Sequence, residues 1–340
     1  TVTGGLNWSG GTMSGSGRTI VANTGTLNLD TTTHQLNRVL QNDGTATWTA
    51  GALQMNGGTL TNNGSFTATS GGTLNCYGTG GLNSFDNVGT FTKQGSGTTQ
   101  FFVSSTAVAF NNSGAVEVQA GTLLLNAGGT SSSLILLPAG TSLGISASYT
   151  HATSSSISGA GTLNLTGGSQ TFAAGAQVNV GQLNFSSATV SFADNYSFTN
   201  VSFSSGTLTG SGNVTVTGTL DWSGGVMSGS GRTIIATGAT LNLNNTTHDL
   251  NRVLQNDGTA TWTAGALQLN GGTFTNRGSF TANPEGGKGV SCRVDRLFAR
   301  AIELDLAVVA KQRAVRAETG GRVVEPVAVT LGIAGDEGGG

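Results

Sequence analysis

The chain has 340 residues, of which 56 are glycine and 9% are charged, with a formal net charge of −2. Near-neutrality leaves no basic patch to release counterions, so no nucleic-acid partner is expected, and low net charge with regularly recurring apolar residues argues against disorder. No apolar run approaches the roughly 18 residues needed to cross a bilayer, and two cysteines, Cys76 and Cys292, are too few for a disulfide framework.

In chain order, the first phrase is "MSGSGRTI" at Met13, a turn-rich stretch leading into alternation. A second phrase then recurs as "LQNDGTATW" at Leu40, "LTNNGSFTA" at Leu60, "FDNVGTFTK" at Phe85 and "FNNSGAVEV" at Phe110, starts spaced by 20, 25 and 25. Each reads apolar, any, Asn, any, Gly, then a short alternating run. Gly44, Gly64, Gly89 and Gly114 are expected at tight turns of positive φ. Asn42, Asn62, Asn87 and Asn112 are expected to bond the turn backbone, or one another as a stacked ladder. Beyond each turn, alternation assigns Ala46, Phe66, Phe91 and Val116 to an inner face, and Thr45, Ser65, Thr90 and Ala115 to an outer one.

The glycine phrase returns as "ISGAGTLN" at Ile157 and "LTGSGNVT" at Leu208, and then a long duplication begins. Residues 216–283 match 2–69 without a gap at 54 of 68 positions, and "LNRVLQNDGTATWTAGALQ" stands letter for letter at 36–54 and 250–268. The duplication carries Asn256, Gly258, Asn276 and Gly278 into the equivalent turn positions. Repeated units of 20–25 residues that bury their apolar face only against neighbours predict an all-β fold, a parallel β-helix or β-solenoid. At about 4.8 Å per coil, roughly a dozen coils would make a rod about 60 Å long. A β-sandwich is the runner-up. From Pro284 the text changes: 284–340 has no Asn and holds eight of the 14 basic residues. Residues 1–283 are therefore read as the solenoid, and 284–340 as a charged cap or a non-native tail, with 294–318 helical and 321–329 extended.

Chemistry is sparse. "GTSLG" around Ser142 has the nucleophile-elbow spacing but needs a following helix and His and acid partners. His34 and His248 are copies of one position, and His151 stands alone, without neighbours at metal-ligand spacing. No metal and no cofactor is expected. The acids Asp30, Asp43, Asp86, Glu117, Asp194, Asp221, Asp249 and Asp257 are scattered, which leaves a carbohydrate-active β-helix enzyme as an alternative. Trp8, Trp48, Trp222 and Trp262 are read as core plugs rather than sugar platforms. The outer Thr45/Thr47 and Thr90/Thr92 pairs raise an ice- or glycan-binding face that lapses at Ala115/Glu117.

The phrases "LTNNGSFTATSGGTLN" and "FNNSGAVEVQAGTLLL" resemble the Gly/Asn-rich repeats of filamentous-haemagglutinin-like and autotransporter-passenger proteins of bacterial surfaces, over residues 1–283. The resemblance implies a right-handed β-helix, extracellular or displayed on a bacterial cell, acting as adhesin or stalk within a longer chain. It also implies surface polysaccharide or receptors of host or neighbouring cells as partners. No translocator barrel or anchoring motif is visible. The expectation is a non-enzymatic rod.

Overall fold

The computed structural model describes residues 1–282 and the backbone of 291–294. Every element there is a β-strand, from three to ten residues long. Each named strand pairs in parallel with the strand one coil further on, giving a β-solenoid. Parallel pairing throughout excludes the antiparallel sandwich. A coil has three strands, such as Val39–Asn42, Thr45–Trp48 and Leu53–Asn56. Stacked, they make three faces, numbered here in that order.

Face 1 is a 14-stranded ladder running from Arg18–Val21 to Ser291–Val294, so the ladder extends past Pro284. The predicted helix at 294–318 and the extended segment at 321–329 lie beyond the described residues, apart from Val294. Faces 2 and 3 fuse in the middle of the rod. There single strands such as Ser156–Leu165 and Val214–Trp222 run through the corner between them, the first with a register shift at Gly159/Thr162.

Alternation explains how short strands make one core. Ala46, Phe66, Phe91 and Val116 stack in register on face 2, all fully buried, with Thr45, Ser65, Thr90 and Ala115 on the outside. Face 3 carries an inner row of Leu123, Leu143, Leu163, Leu183, Val201, Leu220 and Leu241. Where coils are longest, Phe66, Phe85, Phe91, Phe101 and Phe110 fill the wider interior, with ring centroids 4.8 to 6.1 Å apart.

The two copies of the duplicated text do not occupy the same faces. Val39–Asn42 is on face 1, but its identical twin Val253–Asn256 pairs with Arg232–Ile235 on face 2. Thr45–Trp48 is on face 2 and its twin Thr259–Trp262 on face 3; Leu53–Asn56 is on face 3 and Ala266–Leu269 on face 1. From Val39–Asn42, ten steps along the face 1 ladder reach His248–Leu250, and Val253 begins one face later. The 214-residue offset is thus ten coils and a third. Any strand with the apolar-in, polar-out pattern fits any face, because each offers the same parallel edge and the same interior.

The turn glycines work differently from the expectation. Gly44, Gly64, Gly89, Gly114, Gly258 and Gly278 do not have positive φ. The constraint is close approach instead. A Cβ on Gly64 would collide with the carbonyl oxygen of Gly44, one on Gly89 with that of Gly64, and one on Gly114 with that of Gly89. The same holds for Gly278 over Gly258. The corner is drawn tight because two successive N–H groups, of Asn63 and Gly64, donate to the single carbonyl of Asn42 at 2.8 and 3.0 Å. Gly57 is the opposite case, at φ +68° with open space around a Cβ. Asn tolerates the left-handed region but has a Cβ. Gly57→Asn is therefore expected to change stability little, while Gly89→Asn costs about 1–3 kcal/mol by overpacking. Thermal unfolding midpoints compare the two directly, and equal tolerance would refute the close-approach account.

Candidate functional site

The twelve turn positions singled out in the sequence form two clusters rather than one. Asn42, Asn62, Asn87 and Asn112 end consecutive face 1 strands and point inward, all buried. Each Nδ2 donates to the next Oδ1, at 2.8 Å in all three links, and Asn112 passes the chain to Ser131 Oγ at 3.2 Å. The same amides donate to the carbonyls of Ser65, Thr90 and Ala115, tying each ladder rung to the following strand. Asn256 and Asn276 link at 2.6 Å in the same way, but at the end of face 2 strands. A ladder of this kind has a direction. Its first member, Asn42, has an Oδ1 without a hydrogen-bond partner, since Val21 occupies the level before it.

Beyond Ser131 the same inner position is taken by His151, Phe172 and Phe192. His151 is fully buried, its ring stacked on Phe172 at 4.1 Å and 3°, and neither ring nitrogen has a partner. Burial drives its pKa down to about 3, against an ordinary value of about 6.5. His34 and His248 differ: each ring lies between two backbone carbonyls, Ala52 and Asp30 for the first, Ala266 and Trp222 for the second. Each also meets a tryptophan edge-on, Trp8 at 5.1 Å and Trp222 at 4.9 Å. For His248, burial lowers the pKa while the carbonyl contacts and Asp249 oppose the shift.

The buried cations are also held by backbone. Lys93 Nζ donates to the carbonyls of Gln94, Gly95 and Ala120 at 2.7 to 3.1 Å, filling its three donors. Arg252 spans three coils through the carbonyls of Gly212, Ser228 and Gly231, and burial lowers its pKa to about 10.

The acids do not converge in the hydrogen bonds of the described residues. Asp43 accepts from Gln41 and Asn63, Asp86 from Ser84 and Asn111, Asp221 from Asn242, and Asp257 from Gln255. Among the described residues no group of three or more His, Cys, Asp or Glu is placed to hold a metal, and no helix is long and apolar enough to cross a membrane. Ser142 begins a strand, Ser142–Ile145, and its hydroxyl accepts from Asn164; the strand–turn–helix of a nucleophile elbow is not formed there. Cys76 is a free thiol in the core. All four tryptophans are buried, and the indoles of Trp48, Trp222 and Trp262 donate to nearby backbone carbonyls, so none offers a ring face to sugar.

Two outer features were not anticipated. Thr150, Thr171, Ser191 and Thr209 stand in register on face 1, as do Ser169, Thr189 and Thr207, making two adjacent hydroxyl rows of four and three coils. Their strand boundaries are needed to see it, because the phrases share no common text. On face 3, Tyr77 and Phe102 point outward, opposite each other. Alternation in "LNCYG" marks Tyr77 as outer, but the doublet Phe101–Phe102 hides which ring is inside.

No family model, curated protein or solved structure matches the chain.

His151 folds only as neutral imidazole, so the unfolded chain binds more protons between its folded and unfolded pKa values. Its protonation therefore costs the fold nothing above about pH 6.5, and the cost grows as the pH falls toward 3. His151→Phe is expected to raise the thermal midpoint at pH 7 by removing two unpartnered polar atoms, a gain of about 1–3 kcal/mol. It should also flatten the loss of stability on acidification. Thermal melts from pH 7 to pH 4 check both, and an unchanged acid limb would rule out His151 as its source.

Proposed function

We propose that this chain is a non-enzymatic structural and adhesive segment of a larger bacterial exoprotein, displayed outside the cell. The observation that carries the reading is the unbroken three-face ladder with a small-residue exterior that carries few charges. Such a rod is stiff, because every coil is hydrogen-bonded along its length to the next. It presents outer Thr, Ser, Asn and Gln side chains at successive levels, so weak contacts add by valency rather than by depth of a pocket. The likeness of its phrases to surface-protein repeats supports the location.

The test is attachment to bacterial and animal cell surfaces by beads carrying the chain at graded density. Attachment is expected to rise more steeply than in proportion to density. No attachment at any density would overturn the adhesive part of the reading.

The hydroxyl rows of face 1 favour a second reading, ordered water or ice. Neighbouring hydroxyls repeat at about 4.8 Å between coils and about 6.6 Å along a strand, a regular lattice. Thermal hysteresis measured on the purified chain decides it: a gap between melting and freezing points that Thr171→Lys abolishes supports the lattice, and its absence removes it.

A further inference from the structure

We infer that Tyr77 and Phe102, with the amides around them, form a binding site for an uncharged glycan chain. The inference rests on the adhesive reading and names its ligand class.

The pair stands out against the pattern of the whole rod. Aromatic side chains in the described residues otherwise face the interior, and outer positions carry mostly Thr, Ser, Asn and Gln, with scattered aliphatics such as Ile20, Leu124 and Ile234. Tyr77 and Phe102 oppose each other on adjacent face 3 strands, with ring centroids 5.4 Å apart and planes tilted by 38°. Both are half-buried, so part of each side chain reaches solvent. At the adjoining corners Leu82 is 95% exposed and Val103 52%. Val88 and Leu134 are exposed singly elsewhere, whereas here aromatic and aliphatic surface is clustered, and clustered apolar surface marks a contact site.

The border of the pair says what the contact is. On one side Tyr77 Oη donates to Gln54 Oε1 at 3.3 Å, and Gln54 Nε2 donates to Thr79 Oγ1 at 3.3 Å. On the other, Gln100 Nε2 donates to Asn75 Oδ1. None of these side chains is charged. Amides and hydroxyls both donate and accept, which suits sugar hydroxyls, and an aromatic ring suits the C–H face of a pyranose. A charged polymer finds no counter-charge among them. The side chains already bond one another, so little ordering is required on binding. Both rings also lie outside the duplicated text, in the part of the chain that occurs once.

The probes are cellohexaose and mannohexaose, titrated calorimetrically into the full chain. Phe102→Thr and Tyr77→Ser restore the ordinary outer residue type and are expected to keep the wild-type thermal midpoint. Saturable binding of at least one hexaose, weakened about tenfold or more by either variant and retained by Tyr77→Phe, is the expected result. Three outcomes would overturn the inference: no binding of either sugar, equal binding by the variants, or an effect of the variants confined to self-association in sedimentation velocity. If wild-type beads attach to cells but bind neither hexaose, the site fails while the adhesive reading stands. If hexaose binds and the beads do not attach, the reverse holds.

Discussion

Everything in this molecule is arranged around the spacing of one coil on the next. Parallel strands lie about 4.8 Å apart, and at the corners the backbone comes closer to its predecessor than a Cβ allows. Gly64 sits on the carbonyl of Gly44, and Gly89 on that of Gly64. Asn is selected beside it for a related reason. Its amide has a donor and an acceptor at opposite edges, so identical side chains at that spacing complete each other. Glycine at the corner and asparagine at the strand end answer the same stacking constraint, one by taking no space and the other by filling it with a paired group.

That constraint explains what was legible in the text and what was not. Spacings of 20 and 25 between Asn-x-Gly phrases suffice to predict stacking, and alternation places Ala46, Phe66, Phe91 and Val116 correctly inside. Periodicity does not say how many strands make a coil, however, so it cannot assign faces. Asn256 and Asn276 read like further members of the first ladder and instead form a separate one. The glycines were misread for a similar reason. A local rule about φ accounts for a turn within one coil, whereas the contact that matters comes from a residue 20 or 25 positions earlier. The outer pair of Tyr77 and Phe102 was hidden because two adjacent phenylalanines give alternation no phase.

The inner ladder of face 1 also changes character along the rod. Four asparagines are followed by Ser131, then His151, then Phe172 and Phe192. A polar ladder must end on a group that can close it, and Ser131 does so by donating onward to the carbonyl of Ser133. His151 is the first rung with nothing to receive, and its ring is used as an aromatic plate. Solenoid stability is roughly a sum over neighbouring units, so this junction between two kinds of interior is where the nearest-neighbour terms are most mixed.

The third of a coil left over in the duplication sets a screw. Copying the 214-residue unit translates its surface along the axis and turns it by one face, so a feature written in both copies looks out at two azimuths. A filament built from further such units would return to its starting azimuth only at the fourth, with identical patches winding around the shaft like the thread of a bolt. A partner approaching from any side would meet the same chemistry without the rod having to rotate.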